Sequence, residues 1–242
     1  MILEQAIEKL STLHPFSIFL YGSRARWDHC PDSDFEIGVV FQEKGNIHRE
    51  TLNTLLQNKK ISAYPIIYQE LITYKVDTPF QKNIYMNDII RSGKTLFGEK
   101  IIENLSTPEI TVLDTLQDIR FNIGYGMSAV LSDRNWDIET AKSLFYKSCL
   151  FTTRNLIIGL QQEFPLWYQK IKESSKALNL WEFTYLVDLA YNVRNKKTAY
   201  QQKDLYKNIK YLNTFIESKI MELYRERGDI ILIKKADLKA SS

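Results

Sequence analysis

Apolar and polar residues follow two different periodicities in the first hundred positions of the chain. Apolar residues that recur at helical spacing predict helices, and short runs of alternating β-prone residues predict strands. In chain order the pattern predicts a helix over 2–13, strands over 16–21 and 33–41, a helix over 48–60, a strand over 61–68, a helix over 78–92 and a short strand over 94–98. Pro65 indicates that the third of these strands lies at a sheet edge or carries a bulge. Thr78 and Pro79 are typical of the first positions of the next helix.

Residues beyond Pro108 follow helical periodicity alone. The apolar pattern predicts helices over 110–131, 137–160, 165–178, 180–194 and 202–227. Helices of this length joined by short connections form antiparallel bundles. We therefore expect two domains, 1–104 with mixed helices and strands and 105–242 as an all-α antiparallel helical bundle. The tail from Gly228 ends in a basic, polar stretch that is expected to fray, while the apolar residues 230–233 could dock onto the protein.

Composition and charge narrow the classes of function. Of the 242 residues, 44% are hydrophobic, and 32 basic against 29 acidic residues leave a net charge of +3. This balance argues against nucleic acid as a partner. The N-terminus carries acids and no apolar run reaches membrane-spanning length, so we expect no membrane association and a cytoplasmic protein with Cys30 and Cys149 reduced. A homodimer is compatible with this composition.

The second strand carries the first candidate chemistry. Asp34 and Glu36 are two residues apart, so their side chains should share one face of the strand while Phe35, Ile37 and Val39 point to the other. Two neighbouring carboxylates repel each other and lose hydration unless a cation lies between them. Because Mg²⁺ is often held by one or two carboxylates together with phosphate oxygens, the pair predicts a Mg²⁺ site.

The turn after the first strand supplies a complementary feature. Gly22 lets backbone N–H groups approach a phosphate closely, and Ser23 adds a hydroxyl donor. A helical turn that begins there would direct its positive end toward the anion. The two segments together predict a site for a metal-bound phosphate.

These residues resemble the nucleotidyltransferases of the DNA polymerase β superfamily, especially the minimal nucleotidyltransferase domains. The signature of that family is Gly-Ser, ten residues, then acid-x-acid, which this chain matches with Gly22-Ser23 and Asp34-Phe35-Glu36. The segment Arg24-Ala25-Arg26 and Ser33 also resemble the family. Trp27 departs from it, because a glycine is common at that position.

The resemblance implies a fold, an activity and a set of site residues. The fold would be α+β, a polymerase β-like mixed sheet with flanking helices. The activity would be Mg²⁺-dependent transfer of a nucleoside monophosphate, AMP from ATP, to a hydroxyl of a small molecule or a protein. Asp34 and Glu36 would be the catalytic metal ligands, while Gly22, Ser23 and Arg24 would bind the nucleotide phosphates. The alternative is a catalytically inactive nucleotide-binding or antitoxin-type interaction module.

The third strand lacks the carboxylate that the superfamily usually carries there. Active members of the superfamily usually carry an acid on the third strand, but residues 61–68 contain none. Glu70 would reach the site only if that strand continued past Pro65 without a break. Otherwise the general base would come from Asp114, Asp118 or Glu139 in the bundle, or be absent.

The helical half resembles HEPN-type domains and the second domain of kanamycin nucleotidyltransferases. Arg194-Asn195 resembles the start of the HEPN ribonuclease motif. The three histidines, His14, His29 and His48, all precede the bundle, so the histidine of that motif is missing. We therefore do not expect ribonuclease activity.

Overall fold

A computed structural model describes residues 2–31, 33–43, 45 and 47–237. The chain divides into two compact units. The N-terminal unit runs to Pro108 and includes the stretch from Lys235, and the helical unit is Glu109–Lys234. The domain limits expected from the sequence, 1–104 and 105–242, remain a prediction.

In the described residues, the N-terminal unit is built mainly from a four-stranded mixed sheet and five helices. Its strands are β1 (Ser17–Tyr21), β2 (Phe35–Phe41), β3 (Ile61–Ile67) and β4 (Lys94–Gly98), and its helices are α1 (Ile2–Ser11), α2 (Gly22–Ala25), α3 (Arg49–Leu56), α4 (Tyr68–Ile72) and α5 (Lys82–Ser92), followed by a 3₁₀ turn at Ile102–Asn104. The sheet order is β3-β2-β1-β4, with β1 antiparallel to β2 and β4 and with β2 parallel to β3. The predicted α+β fold with a mixed sheet is confirmed.

The third strand lies at one edge of this sheet. Pro65 is opposite Val39 of β2 in the parallel register. A proline cannot donate a backbone hydrogen bond, and an edge strand tolerates this because one of its sides pairs with no neighbour. The predicted edge position is confirmed, and the strand continues through Pro65 to Ile67.

Side-chain alternation divides the hydrophobic core between the two faces of the sheet. Ile18, Leu20, Ile37 and Val39 pack with Leu10 of α1 and Leu52 of α3 on one face. On the opposite face, a second core cluster forms between the sheet and α5. It contains Phe19, Tyr21, Val40 and Ile66 of the sheet and Met86 and Ile89 of α5. Because both faces are covered, polar side chains of β2 can reach solvent only where the strand begins.

The start of α5 differs from the sequence prediction. Thr78 was expected to cap this helix, but α5 begins at Lys82 and the side chain of Gln81 accepts the hydrogen bond from the Ile84 backbone N–H. The Thr78 hydroxyl instead accepts a hydrogen bond from the Phe80 backbone N–H in the preceding loop. A glutamine can provide the same side-chain acceptor as the usual capping residues, which a search for short polar caps overlooks.

The helical unit confirms the predicted helix-rich region. It contains α6 (Val112–Arg134), α7 (Ile138–Gln161), α8 (Tyr168–Ser175), a 3₁₀ turn at Trp181–Phe183, α9 (Thr184–Arg194), α10 (Gln202–Lys210), a π-helical segment at Tyr211–Glu217 and α11 (Ser218–Arg227). The predicted helix over 202–227 is therefore interrupted by π-helical geometry. There the buried Tyr211 places its hydroxyl 3.0 Å from the Thr153 hydroxyl.

The segment after α11 docks by strand pairing, as expected for 230–233. The short strands β5 (Ser106–Thr107) and β6 (Ile110–Thr111) pair antiparallel with β8 (Ala236–Asp237) and β7 (Ile231–Ile233), respectively. In the part of the chain that the structure describes, no helix is long and apolar enough to cross a membrane.

Candidate active site

The candidate site is centred on Gly22, where β1 ends and α2 begins. Gly22 has φ +71°, a backbone conformation that other residues adopt only at a cost. A Cβ atom at this position would overlap Oε2 of Glu36 and lie 3.0 Å from its Cδ. Glycine is thus required here both by the backbone and by the neighbouring carboxylate, which lies directly against the turn.

The two acids lie together at the start of β2. Glu36 pairs with Tyr21 of β1 on one side and with Ser62 of β3 on the other. Asp34 immediately precedes the strand, and its Oδ2 accepts a hydrogen bond of 2.6 Å from the Ser62 hydroxyl. Both acids are half-buried, and Phe35 and Ile37 pack into the opposite core. The structure therefore brings both acids and Gly22 together, on the face that alternation predicts.

Three tyrosines surround Glu36. The hydroxyls of Tyr21 and Tyr85 are 3.2 Å apart, and the ring of Tyr64 lies 6.4 Å from that of Tyr21. Burial raises the pKa of all three phenols, and the charge of Glu36 raises each pKa further. At Tyr64 this is opposed by Arg49, whose charge lowers the pKa and whose guanidinium donates to the phenol oxygen at 3.1 Å. All three phenols therefore stay protonated at neutral pH and add no charge to the site.

Arg24 connects the turn to the loop that carries Asp34. Its Nε and Nη2 donate to the Ser33 carbonyl at 3.0 and 2.8 Å, and Nη2 also donates to the Pro31 carbonyl at 3.3 Å. The guanidinium also lies over the Phe35 ring, 4.7 Å from its centroid. These contacts fix the residue before Asp34. A phosphate contact by Arg24 remains a prediction.

Two further contacts fasten the turn to α5. The Gly22 backbone N–H donates to the Ser92 hydroxyl at 3.1 Å, and that hydroxyl donates to the Asp88 carbonyl at 2.6 Å. The Arg26 guanidinium forms an ion pair of 2.8 Å with the Asp88 carboxylate, and only 6% of the Arg26 side chain is exposed. Sequence reasoning missed Ser92 and Asp88, because nothing in the local pattern of α5 relates them to a turn about 70 residues earlier.

The backbone at Trp27 shows why a glycine is common at this position. It has φ +61° and 80% of its surface is exposed. Its backbone conformation is one that favours glycine, and the side chain has little burial to compensate for the strain. Lys94 places its ammonium 5.8 Å from the ring centroid.

The third strand supplies no acid to the site. It ends at Ile67, and Glu70 lies in α4, where its backbone carbonyl accepts a hydrogen bond from Lys75. Glu70 therefore does not continue the strand toward Asp34 and Glu36. Among the described residues, no group of three or more His, Cys, Asp or Glu side chains could hold a metal ion.

The three bundle acids considered as a base have structural contacts within the helical unit. Asp114 closes the capping box of α6 by accepting from the Thr111 backbone N–H at 2.8 Å. Asp118 is buried and accepts from the Asn155 side chain at 2.6 Å. Glu139 forms an exposed ion pair of 2.6 Å with Lys142. Each of the three acids thus has a structural partner in the helical unit, and a role for any of them as a base remains a prediction. Arg194 is likewise buried, with its guanidinium 3.9 Å from the Tyr168 ring centroid.

The donor set fits a hard divalent cation. Asp34 and Glu36 offer carboxylate oxygens, the ligands that Mg²⁺ prefers. The turn at Gly22 carries no side chain, and the Glu36 carboxylate lies directly against it. Two carboxylates leave most of an octahedral shell to phosphate oxygens and water. The residues present therefore fit a divalent cation that shares its ligand shell with phosphate oxygens and water.

The comparisons with known proteins agree with this class of site. Residues 4–101 match the family described as polymerase beta, nucleotidyltransferase. The fold resembles spectinomycin adenyltransferase AAD(9) from Enterococcus faecialis, solved with ATP and spectinomycin, with a TM-score of 0.60 and 15% sequence identity over 89% of this chain and 97% of that chain. No curated protein sequence matches the chain.

Residues 4–101, which make up most of the N-terminal unit, therefore match a nucleotidyltransferase domain of the polymerase β family. The helix-rich region that follows is shared with an adenyltransferase fold. The resemblance to the polymerase β superfamily that the sequence indicated is confirmed for residues 4–101. For the helical half, which the sequence likened to HEPN-type domains and to the second domain of kanamycin nucleotidyltransferases, the comparison shows a similar fold to an adenyltransferase.

Proposed function

We propose that this protein is a Mg²⁺-dependent nucleotidyltransferase that transfers AMP from ATP to a hydroxyl and releases pyrophosphate. The observation that carries the proposal is the position of the Glu36 carboxylate against Gly22, with Asp34 beside it on the same sheet face. This arrangement places two metal-binding groups next to a turn that a phosphate can approach. It belongs to a domain of the nucleotidyltransferase family.

Each site residue has a distinct role in this proposal. Asp34 and Glu36 hold Mg²⁺, which neutralises charge on the phosphate oxygens when it is bound. Gly22 keeps the turn open, and its own N–H is already bonded to Ser92. The phosphates are then bound by the Ser23 hydroxyl and by backbone N–H groups in the first turn of α2, including that of Arg24.

The chemistry requires mainly positioning. An acceptor hydroxyl attacks the α-phosphorus in line with the bond to the leaving pyrophosphate, the new P–O bond forms as the old one breaks, and the hydroxyl proton is lost to solvent or to a base. Asp34 accepts a hydrogen bond from Ser62, and the carbonyl of the preceding residue, Ser33, accepts hydrogen bonds from Arg24. These bonds set the orientation of Asp34 before the nucleotide binds. The protonated Tyr21, Tyr64 and Tyr85 surround Glu36 without adding negative charge.

The acceptor is proposed to be a small molecule or a protein hydroxyl. The structurally similar adenyltransferase was solved with spectinomycin, which supports a hydroxylated small molecule of the aminoglycoside type. The lack of a third acid beside Asp34 and Glu36 in the described residues favours one competing function, an inactive nucleotide-binding or antitoxin-type module.

A transfer assay distinguishes the two functions. The protein is incubated with Mg²⁺, ATP labelled at the α- or the γ-phosphate, and spectinomycin, other aminoglycosides or a cell extract. The proposal predicts that an acceptor gains label only from α-labelled ATP, with stoichiometric pyrophosphate. The Asp34→Asn variant should give neither product. Binding of ATP without pyrophosphate release in any mixture would favour the inactive module.

A further inference from the structure

The geometry points to Ser62 as a positioning residue that sets the charge of the candidate metal site. We propose that its hydroxyl orients Asp34 and fills, as a neutral group, the position on β3 from which a third ligand would reach the metal. This inference rests on the proposed function. Its consequence is a site that binds a divalent cation weakly by itself and firmly only together with a nucleotide.

The strand register places Ser62 beside the acids. In the parallel pairing of β2 with β3, Ser62 is opposite Glu36, so both side chains lie on one face of the sheet. The neighbouring residues of β3, Ile61 and Ala63, are buried in the core on the other face. Ser62 is therefore the β3 side chain whose position is directly next to Glu36.

The hydroxyl acts on Asp34 by direct contact. Ser62 Oγ donates to Asp34 Oδ2 at 2.6 Å, a length typical of a charge-assisted hydrogen bond. This bond restrains a carboxylate that lies before the first residue of β2 and has no strand pairing of its own. It also uses one of the acceptor positions of Oδ2.

The charge of the site follows from the groups around it. Asp34 and Glu36 contribute two carboxylates, whereas Ser62 contributes a hydroxyl, which carries no charge. Within the described residues, no third acid joins the pair. Two carboxylates can balance one divalent cation but leave most of its ligand positions to water, so phosphate oxygens should strengthen binding considerably.

Metal binding by the full-length protein tests this inference. Free Mn²⁺ is measured by electron paramagnetic resonance during titration, with and without a non-hydrolysable ATP analogue. The wild type is compared with Ser62→Ala, Ser62→Thr and Ser62→Asp. Gln69→Asp is the matched control, because it adds the same charge at an exposed position two residues beyond β3. Melting temperature without metal shows whether each variant folds.

We expect Ser62→Asp to tighten Mn²⁺ binding without nucleotide by roughly tenfold or more, since a third carboxylate would enter the ligand set. Gln69→Asp should change it by less than about twofold, because an exposed charge is screened by solvent. Ser62→Ala should weaken Mn²⁺ binding in the presence of the analogue about three- to tenfold, and Ser62→Thr should restore it, because threonine keeps the hydroxyl.

The outcomes separate this inference from the proposed function. If the wild type binds Mn²⁺ with the analogue but Ser62→Asp gains no more than Gln69→Asp, or Ser62→Ala binds like the wild type, the role of Ser62 is wrong and the function stands. If the wild type binds no Mn²⁺ with the analogue and Ser62→Asp creates no site, both are wrong. A Ser62→Asp site without any wild-type binding would support the role of Ser62 and contradict the proposed function.

Discussion

Replacing Gly22 by alanine tests the geometry of the site through two separable costs. The residue has φ +71°, and an added Cβ would overlap Oε2 of Glu36. The first cost is the left-handed backbone conformation, about 1–2 kcal/mol for a residue with a Cβ. The second is displacement of the Glu36 carboxylate from its rotamer, about 0.5–1.5 kcal/mol. Gly22→Ala should therefore lower the free energy of unfolding by roughly 1.5–3.5 kcal/mol.

A double-mutant cycle isolates the second cost. In a Glu36→Ala background the new Cβ at position 22 meets only the Cβ at position 36, which lies at an ordinary contact distance of 3.8 Å. The backbone cost remains there, while the displacement cost disappears. We expect Gly22→Ala to be less destabilising in this background than in the wild type by roughly 0.5–1.5 kcal/mol.

Urea unfolding of the wild type, both single variants and the double variant provides the four free energies. Gly228→Ala is a control for a positive-φ glycine away from the site, because Gly228 has φ +75° and ψ −161° and a Cβ there would meet nothing within 4 Å. Glu36→Ala should leave the cost of Gly228→Ala unchanged. Equal costs of Gly22→Ala in both backgrounds would show that the Glu36 carboxylate does not lie against the turn, and the assignment of the site would lose its basis.

Four further predictions follow from the same contacts. Asp34→Asn and Glu36→Gln should each abolish transfer. Each should keep or raise the melting temperature without Mg²⁺, because it relieves repulsion between half-buried acids. A clear loss of metal-free stability in both variants would mean that the acids are structural. Glu70→Gln should keep activity within a few-fold because Glu70 lies in α4, whereas loss of a general base would cost about 10² to 10⁴ in rate. Trp27→Gly should raise the free energy of unfolding by about 0.5–1 kcal/mol by relieving φ +61°, and unchanged or lower stability in urea would contradict the strain. Burial raises the pKa of Tyr85, so its contribution to the free energy of unfolding should be fully present below pH about 10 and be lost above it, where the unfolded chain ionises first. Tyr85→Phe should make the fall of the free energy of unfolding above about pH 10 shallower by about 1.36 kcal/mol per pH unit. An unchanged pH dependence would contradict the raised pKa of Tyr85.

The features of the site that local sequence could predict are those fixed by alternation and turn chemistry. Asp34 and Glu36 are near Gly22 because strand side chains alternate and because β1 ends at a glycine. Pro65 indicated the edge strand for the equally local reason that it lacks a donor.

The features that could not be predicted depend on tertiary pairing. The bond from Ser62 to Asp34 depends on the parallel register of β2 and β3, which brings two segments about 28 residues apart together. The bonds from Gly22 to Ser92 and from Arg26 to Asp88 depend on how α5 packs against the turn. No local periodicity encodes such contacts.

The most direct test of the account is a crystal structure of the protein with Mn²⁺ and a non-hydrolysable ATP analogue, using the anomalous signal of manganese. The account predicts a manganese peak bound by the carboxylates of Asp34 and Glu36, with the triphosphate bridging the metal and the turn at Gly22 and Ser23. A nucleotide bound elsewhere, or a manganese peak away from both carboxylates, would contradict the assignment of this site.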